Sequence, residues 1–341
     1  MSESRPELAG PDGPGSVAPT PAAALAPPRL AADDKVDLHL HTLASDGHWT
    51  PAALVDHLAA EGFRVVAVCD HDTQRSVPEV TRRAARRGIV VVPGVEATTR
   101  WNGRQVHLLV YGVPPASDDP RGAGFRSVLA DLDGQLMALA EDARRRIEAS
   151  GRPLPSLEEV AAGRPLWPYH VLCSAIREGH ARNLKEAAEL VTALGGGFSA
   201  DVPLDRTVDA AHAAGGLAVV AHPGRADAVG VVTEQDLDAM LAEGIAIDGL
   251  EAHYRSHSEE QTLLYRRLAA ERGLLVSAGS DSHAAKQPVD PIPWPAAHAA
   301  ALLGRLGIAV EPAGEADASA SPGPERKPAE RAPDGEGQAS G

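Results

Sequence analysis

Asp37-Leu38-His39-Leu40-His41, followed four residues on by Ser45-Asp46-Gly47, is the stretch on which the fold and chemistry of this chain turn. In an extended segment residues two apart share a face, so His39 and His41 project together from one strand, and the loop after it returns Asp46 toward their end. An imidazole buried without a partner is costly. Two of them at period two, flanked by Asp37 and Asp46, fit a metal site at a strand end better than they fit packing.

Working outward, short apolar runs bounded by turn signals recur at Lys35–His41, Arg64–Cys69, Ile89–Val95, Gln105–Gly112, Leu217–Ala221, Ile247–Ala252 and Leu274–Ala278. Helices with punctuation lie between several of them. Thr50 caps one with Pro51 at its first position, another runs from about Pro78 to Gly88, and Leu204–Ala214 ends at Gly215-Gly216. Capping-box spacings at Thr233 and Asp236 and at Ser258 and Gln261 open two more. This alternation predicts an α/β fold, and seven such units suggest a distorted seven-stranded (β/α)7 barrel more than an open doubly wound sheet; no GxGxxG fingerprint follows the first strand. Asn102-Gly103 reads as a hairpin turn that makes the third and fourth strands antiparallel.

Between Pro114 and Pro203 the strand pattern gives way to helical patterns at Phe125–Ser150, His170–Gly179 and Leu184–Leu194, the last capped by Asn183. The expected organisation is therefore a barrel from residues 34–113 and 203–311 with a helical insert over 114–202, placed to wall or cover a site at the strand-end rim. Residues 1–33 and 312–341, rich in Pro, Ala, Gly and charge, are expected to be disordered tails.

The chain of 341 residues carries 32 Lys plus Arg against 47 Asp plus Glu, a formal charge of −15, of which the tails hold −2 and −3. Such a balance disfavours extended duplex DNA binding and anionic membrane, while a local cationic site can still capture one phosphorylated end. Cys69 and Cys173, without CxxC spacing, read as reduced, buried thiols and suit a cytoplasm. Prolines interrupt any leader-like run near the N-terminus, and no run of eighteen apolar residues occurs, so a soluble, cytoplasmic protein is expected.

A candidate ligand sits at or just past nearly every strand end: His39, His41 and Asp46, then His71, Glu96, His107, His222, and Asp281 with His283. His107 lies inside its strand, as the reversed direction of that hairpin requires. These elements, in order from Val36 through His283, resemble the PHP (polymerase and histidinol phosphatase) metal-dependent phosphoesterases: Asp-x-His-x-His, Ser-Asp-Gly, Asp70-His71-Asp72, Pro93-Gly94-Val95-Glu96, His222-Pro223-Gly224-Arg225 and Gly279-Ser280-Asp281-Ser282-His283. The resemblance implies that His39, His41, Glu96 and Asp281 hold one metal, Glu96, His107 and His222 a second, and Asp46, His71 and His283 a third, with Glu96 bridging. Three divalent ions against three ligand carboxylates leave a formal excess of positive charge to attract phosphate. A mixed imidazole and carboxylate set suits Mn2+ first, with Zn2+ or Fe2+ as alternatives, and suits Ca2+ poorly. Asp37, Asp70 and Asp72 are expected to orient ligand imidazoles or cap adjacent turns. His48, His57, His170, His180, His212 and His298 read as surface or packing residues.

The resemblance implies hydrolysis of a phosphate ester by a water activated between metals, with Arg225 as a guanidinium clamp or, alternatively, a rim ion pair. In Gly249-Leu250-Glu251-Ala252-His253-Tyr254-Arg255-Ser256-His257-Ser258, His257 or His253 protonates the leaving group or binds substrate; the alternative is that Ser256 and Ser258 cap the next helix and His253 packs beside it. Within the family the chain looks most like the RNase AM-like subgroup, which removes the 5′-phosphate of nucleoside 3′,5′-bisphosphates and trims short RNA from its 5′ end. Where that subgroup has Arg-Pro-His in the insert, this chain has Trp167-Pro168-Tyr169-His170, and Arg164-Pro165 lies near enough to substitute. Arg144, Arg145, Arg146, Arg177 and Arg182 read as a solvated basic face, or as a second phosphate contact if one reaches the rim. The competing readings are a histidinol-phosphate or general phosphomonoester phosphatase and, from another class, a non-catalytic metal-binding or polymerase-associated PHP module.

Overall fold

In this computed structural model the described residues are 28–115, 120–226 and 230–312. Residues 1–27 and 313–341, most of the two stretches expected to be disordered, therefore lie outside them. Within the first stretch, however, Arg29–Leu30 (β1) pair in parallel with Ala309–Val310 (β10), and Leu30 is buried. That corrects the expectation for residues 28–33: composition pointed to a tail, but Leu30 has an apolar cluster to join.

The main sheet has eight strands in the order β8-β7-β6-β5-β4-β3-β2-β9. Its members are β2 (Lys35–Leu40), β3 (Phe63–Val68), β4 (Val90–Trp101), β5 (Arg104–Tyr111), β6 (Leu217–Val220), β7 (Gly249–Tyr254), β8 (Leu275–Gly279) and the short β9 (Trp294–Pro295). The seven long strands are those expected. β9 is an addition, paired antiparallel to β2. Asp281 N donates to His39 O at 2.7 Å and His41 N to Ser282 O at 3.0 Å, joining the chain just after β8 to β2 and nearly closing the barrel. Asn102 and Gly103 both take positive φ, 47° and 74°, the conformation a tight two-residue hairpin demands, and β4 and β5 pair antiparallel from Trp101↔Arg104 onward. Because β5 runs backwards, β6 is antiparallel to it as well.

Strand alternation divides the core in two. Val65, Ala67 and Cys69, Leu109 and Tyr111, and Leu217 and Val219 fill the interior; Val66 and Val68 face outward against α1 (Pro51–Glu61) and α2 (Val77–Ala85). Val106, Leu108, Val110 and Val220 meet α7 (Leu204–Ala213), α8 (Glu234–Ala242) and α9 (Glu259–Glu271). In β2 the period-two rule is interrupted, because its pairing with β3 shifts register between Asp37 and Leu40. Leu38 consequently packs inside and Leu40 outside, which leaves His39 and His41 on the inner side.

The insert consists of α3 (Ala123–Ala149), α4 (Leu157–Ala161), α5 (Pro168–Arg177) and α6 (Leu184–Ala193) around its own cluster of Ala140, Ile147, Leu157, Val171 and Val191. Val128, Leu132 and Trp167 join it to Ala97 of β4 and to Val202. The short α10 (Ala300–Arg305) caps the barrel with Leu302 and Leu303.

Candidate metal centre and active site

The nine ligand-type side chains picked out in the sequence meet at the mouth of the barrel. Glu96 lies at their middle: its Oε2 is 2.9 Å from His39 Nε2 and 3.1 Å from His41 Nε2, and its Oε1 is 2.8 Å from both His107 Nδ1 and His222 Nε2. Asp281 Oδ1 is 3.0 Å from His41 Nε2, and Asp46 Oδ2 is 3.2 Å from His283 Nε2 and 3.8 Å from His71 Nε2. Ligand atoms fall into three groups, each within 4.8 Å: His39, His41, Glu96 and Asp281; His41, Asp46, His71 and His283; and His71, Glu96 and His107. The first group matches the set the resemblance implies. The other two differ in that His41 and His71 reach across, while His222 joins through the same Glu96 oxygen as His107.

The acids and imidazoles of the cluster are tightly coupled. Burial favours the protonated acid at Asp46, Glu96 and Asp281, yet the surrounding imidazoles outweigh it and hold all three well below the usual carboxylate range. Burial opposes charging of His39 and His41, but their carboxylate neighbours raise both, His41 to about 10. His71, where burial prevails, is lowered to about 4. Nδ1 of His41 and of His71 are buried with no hydrogen-bond partner. Buried donor nitrogens of this kind beside ionised carboxylates fit divalent metal, and imidazole mixed with carboxylate suits Mn, Fe or Zn.

Several groups that hold the cluster in shape have no ligand-like signature in the sequence. Glu251 is fully buried; its Oε1 is 2.9 Å from His39 Nδ1 and its Oε2 accepts from the backbone N–H of His222 at 2.8 Å. In the sequence this acid stands within Gly249–Ser258 with no role assigned to it. Arg255 was likewise unassigned. It bonds the carbonyls of Ser280 (3.0 Å) and Asp281 (2.8 Å) and touches the Asp281 carboxylate, which also accepts from Tyr254 Oη at 2.8 Å.

The neighbouring aspartates, expected to orient ligand rings or cap adjacent turns, mostly bond groups of segments distant in sequence. Asp37 accepts from the backbone N–H groups of His39, Ser280 and Ile292, and burial pushes its carboxyl up to about 7. Asp70 accepts from Thr42 N (2.6 Å), Thr42 Oγ1 (2.8 Å), Ser45 Oγ (2.8 Å) and Ser76 Oγ, fixing the loop that carries Asp46. Asp72, raised to about 6 by burial, accepts from Thr98 N and Oγ1.

His253 and His257 are not placed as acids. β7 shifts register between Glu251 and His253, so Tyr254 turns toward the cluster and His253 away from it, stacked on His298 with centroids 4.0 Å apart. The His257 ring is committed to backbone: Nδ1 donates to Ala252 O (3.0 Å) and Nε2 accepts from Gly224 N (3.1 Å), bracing the loop that bears His222 and Arg225. Ser258 caps α9, as the alternative reading has it. Arg225 stands at the rim with Nη1 3.5 Å from Asp281 Oδ2.

The insert arginines also resolve. Arg144, Arg145 and Arg146 pair with Glu141, Glu148 and Asp142 on their own helix, Arg177 with Glu159 and Arg182 with Glu186. Arg164 instead donates to Leu43 O at 2.6 Å, clamping the insert to the Asp46 loop. His48, read as a surface or packing residue, bonds Tyr169 Oη at 3.1 Å. Cys69 is buried as expected, whereas Cys173 is only half-buried.

A nearly closed α/β barrel whose mouth gathers six imidazoles and three carboxylates has the architecture of a metal-dependent phosphoesterase domain. The chain belongs to the PHP family, whose domain model matches residues 37–185. It is 31% identical over 258 residues to a 5′-3′ exoribonuclease of Haemophilus influenzae, covering 73% of this chain and 90% of that one. A 3′,5′-nucleoside bisphosphate phosphatase of Chromobacterium violaceum is 30% identical over 261 residues, 73% of this chain and 87% of the relative. A Bifidobacterium adolescentis structure assigned as a metal-dependent phosphoesterase superposes with a TM-score of 0.66 at 26% identity, covering 82% of this chain and 97% of that one. Among the described residues no helix is long and apolar enough to cross a membrane.

Proposed function

We propose that this chain hydrolyses the 5′-phosphate of nucleoside 3′,5′-bisphosphates and trims short RNA from its 5′ end, in the cytoplasm, with up to three divalent ions, Mn2+ foremost and Zn2+ or Fe2+ as alternatives. The observation that carries the reading is the meeting of two unlike chambers at the cluster. One, of about 180 Å³, is lined by Leu136, Trp167, Tyr169 and Phe198 together with His71, Asp46 and His107. The other, of about 270 Å³, is lined by Arg225, Arg255, His48, Asp46 and His283. An aromatic wall beside a cationic one suits a nucleoside joined to phosphate.

His39, His41, Asp46, His71, Glu96, His107, His222, Asp281 and His283 would hold the ions. When bound, these supply an activated water and neutralise the phosphate oxygens. Arg225 and Arg255 steady the non-bridging oxygens from the cationic side. Glu251 and Gln105, whose amide donates to His107 Nε2 at 2.7 Å, keep ligand rings in one orientation. Trp167 and Phe198 exclude water around the base. Turnover of adenosine 3′,5′-bisphosphate, a 5′-phosphorylated oligoribonucleotide and histidinol phosphate, compared side by side with Mn2+, tests the proposal. Preference for histidinol phosphate would overturn it in favour of a general phosphomonoesterase, and bound metal without turnover would favour a non-catalytic module.

A further inference from the structure

The two chambers share Asp46 on the barrel side and Tyr169 on the insert side. His71 lines one chamber, His283 the other, and both belong to one ligand group with Asp46. A path from chamber to chamber therefore crosses that group with Tyr169 opposite it. Tyr169 does not hang free. Its hydroxyl meets His48 Nε2 at 3.1 Å, and the backbone N–H of His48 donates to His283 O at 2.6 Å, so this bond runs from the insert to a barrel loop tied to the cluster itself. Five residues before Tyr169, Arg164 donates to Leu43 O (2.6 Å) and Ser45 O (3.3 Å) on the same loop. The insert segment 164–169 is thus pinned to the barrel segment 43–48 at both ends.

We infer that the Tyr169–His48 bond is a bar across the active-site path, which admits a single-stranded RNA end by threading and excludes a strand that has no end. The inference rests on the reading of the chain as an RNA 5′-end hydrolase and deepens it, because it assigns end-specificity to a named contact. The bar is built from side chains alone. Tyr169 is held at the start of α5, where Pro168 occupies the first turn and the Trp167 indole N–H donates to Asp133 Oδ1 at 2.7 Å, which fixes the backbone from which the ring projects. Removing the bond unlatches insert from barrel at this end, while Arg164 still holds the other and the nine cluster side chains are unaltered.

The test uses the full chain with Mn2+ and two substrates of equal sequence, a linear 5′-phosphorylated oligoribonucleotide and its covalently closed circle. Cleavage of the circle breaks one P–O ester bond and consumes one water, giving a linear strand with one phosphomonoester and one hydroxyl, which gel electrophoresis separates from the intact circle. The quantity read is the ratio of circular to linear turnover. Wild type should show a ratio below about one hundredth, and His48→Ala and Tyr169→Phe, which keeps the ring, should each raise it at least tenfold. Wild type that opens circles as fast as it trims linear strands overturns the bar, as does a ratio unmoved in both variants. If wild type hydrolyses neither the linear strand nor adenosine 3′,5′-bisphosphate, the functional reading itself fails and the bar falls with it.

Discussion

Replacing Glu251 by Gln changes almost no volume and removes one charge, which makes it a sharp probe of how the cluster is held. The carboxylate serves two donors at once, the His39 ring through Nδ1 at 2.9 Å and the His222 backbone N–H at 2.8 Å, in a fully buried setting. Gln offers a single acceptor oxygen, so its amide N–H₂ must face one of those donors and one hydrogen bond is lost. A buried donor left unsatisfied costs roughly 1–3 kcal/mol, more when the lost partner was charged. Partners of this kind are worth about 10–100-fold in metal affinity or activity, roughly 1.4–2.7 kcal/mol. We therefore expect Glu251→Gln to bind Mn2+ about 10–100-fold more weakly in calorimetric titration and to lose kcat/KM by a similar factor, with far-ultraviolet circular dichroism unchanged. Affinity and turnover both within twofold of wild type would show that the ligand rings are oriented by something other than Glu251.

Chelation should destabilise the protein: relative to free metal at a hundredfold its Kd, loss of one bound ion removes about 2.7 kcal/mol, seen as a lower Tm in scanning calorimetry, and an unchanged Tm would deny ion binding by the nine side chains. Gly279→Ala should abolish hydrolysis and lower stability by about 1–3 kcal/mol, because a Cβ there meets His39 Cβ and the Glu251 carboxylate; near-normal turnover would mean that the strand shifts to make room. Burial, assisted by His298, lowers His253 to about 4 against an ordinary 6.5, so the folded state binds fewer protons than the unfolded one across that window. Stability is then full above about pH 6.5 and falls as pH drops toward 4, by roughly 3 kcal/mol. His253→Phe should flatten that part of the stability curve in urea titrations and retain hydrolysis at neutral pH; an unaltered slope would locate the acid sensitivity elsewhere.

What could be read from the chain, and what could not, follows from the range over which each signal acts. His39, His41, His71, His222, Asp281 and His283 lie on or beside strand ends, so local pattern delivers them to one rim once the strands close into a barrel, whereas Glu96, expected just past a strand ending at Val95, lies within β4, which runs on to Trp101. His107 was legible through Asn102-Gly103, since a reversed strand brings its first residues to the mouth. Glu251 was not, because a lone acid in an apolar strand acquires meaning only from His39, 212 positions away. Register is the harder case: period two puts Glu251 and His253 on one face, and one irregularity between them gives Tyr254 to the site and His253 to the far side. The same kind of irregularity in β2 works the other way, turning His39 and His41 inward after an inward Leu38. Neither shift has a sequence marker such as Gly or Pro at its position; each is set by the close fit of facing strands, β7 on β8 and β2 on β3. Gly279 shows how tight that fit is, as the β8 backbone passes so near His39 and Glu251 that no side chain is tolerated between them. The metal-ligand types are thus written locally, while the side chains that aim them are specified by contacts between strands distant in sequence.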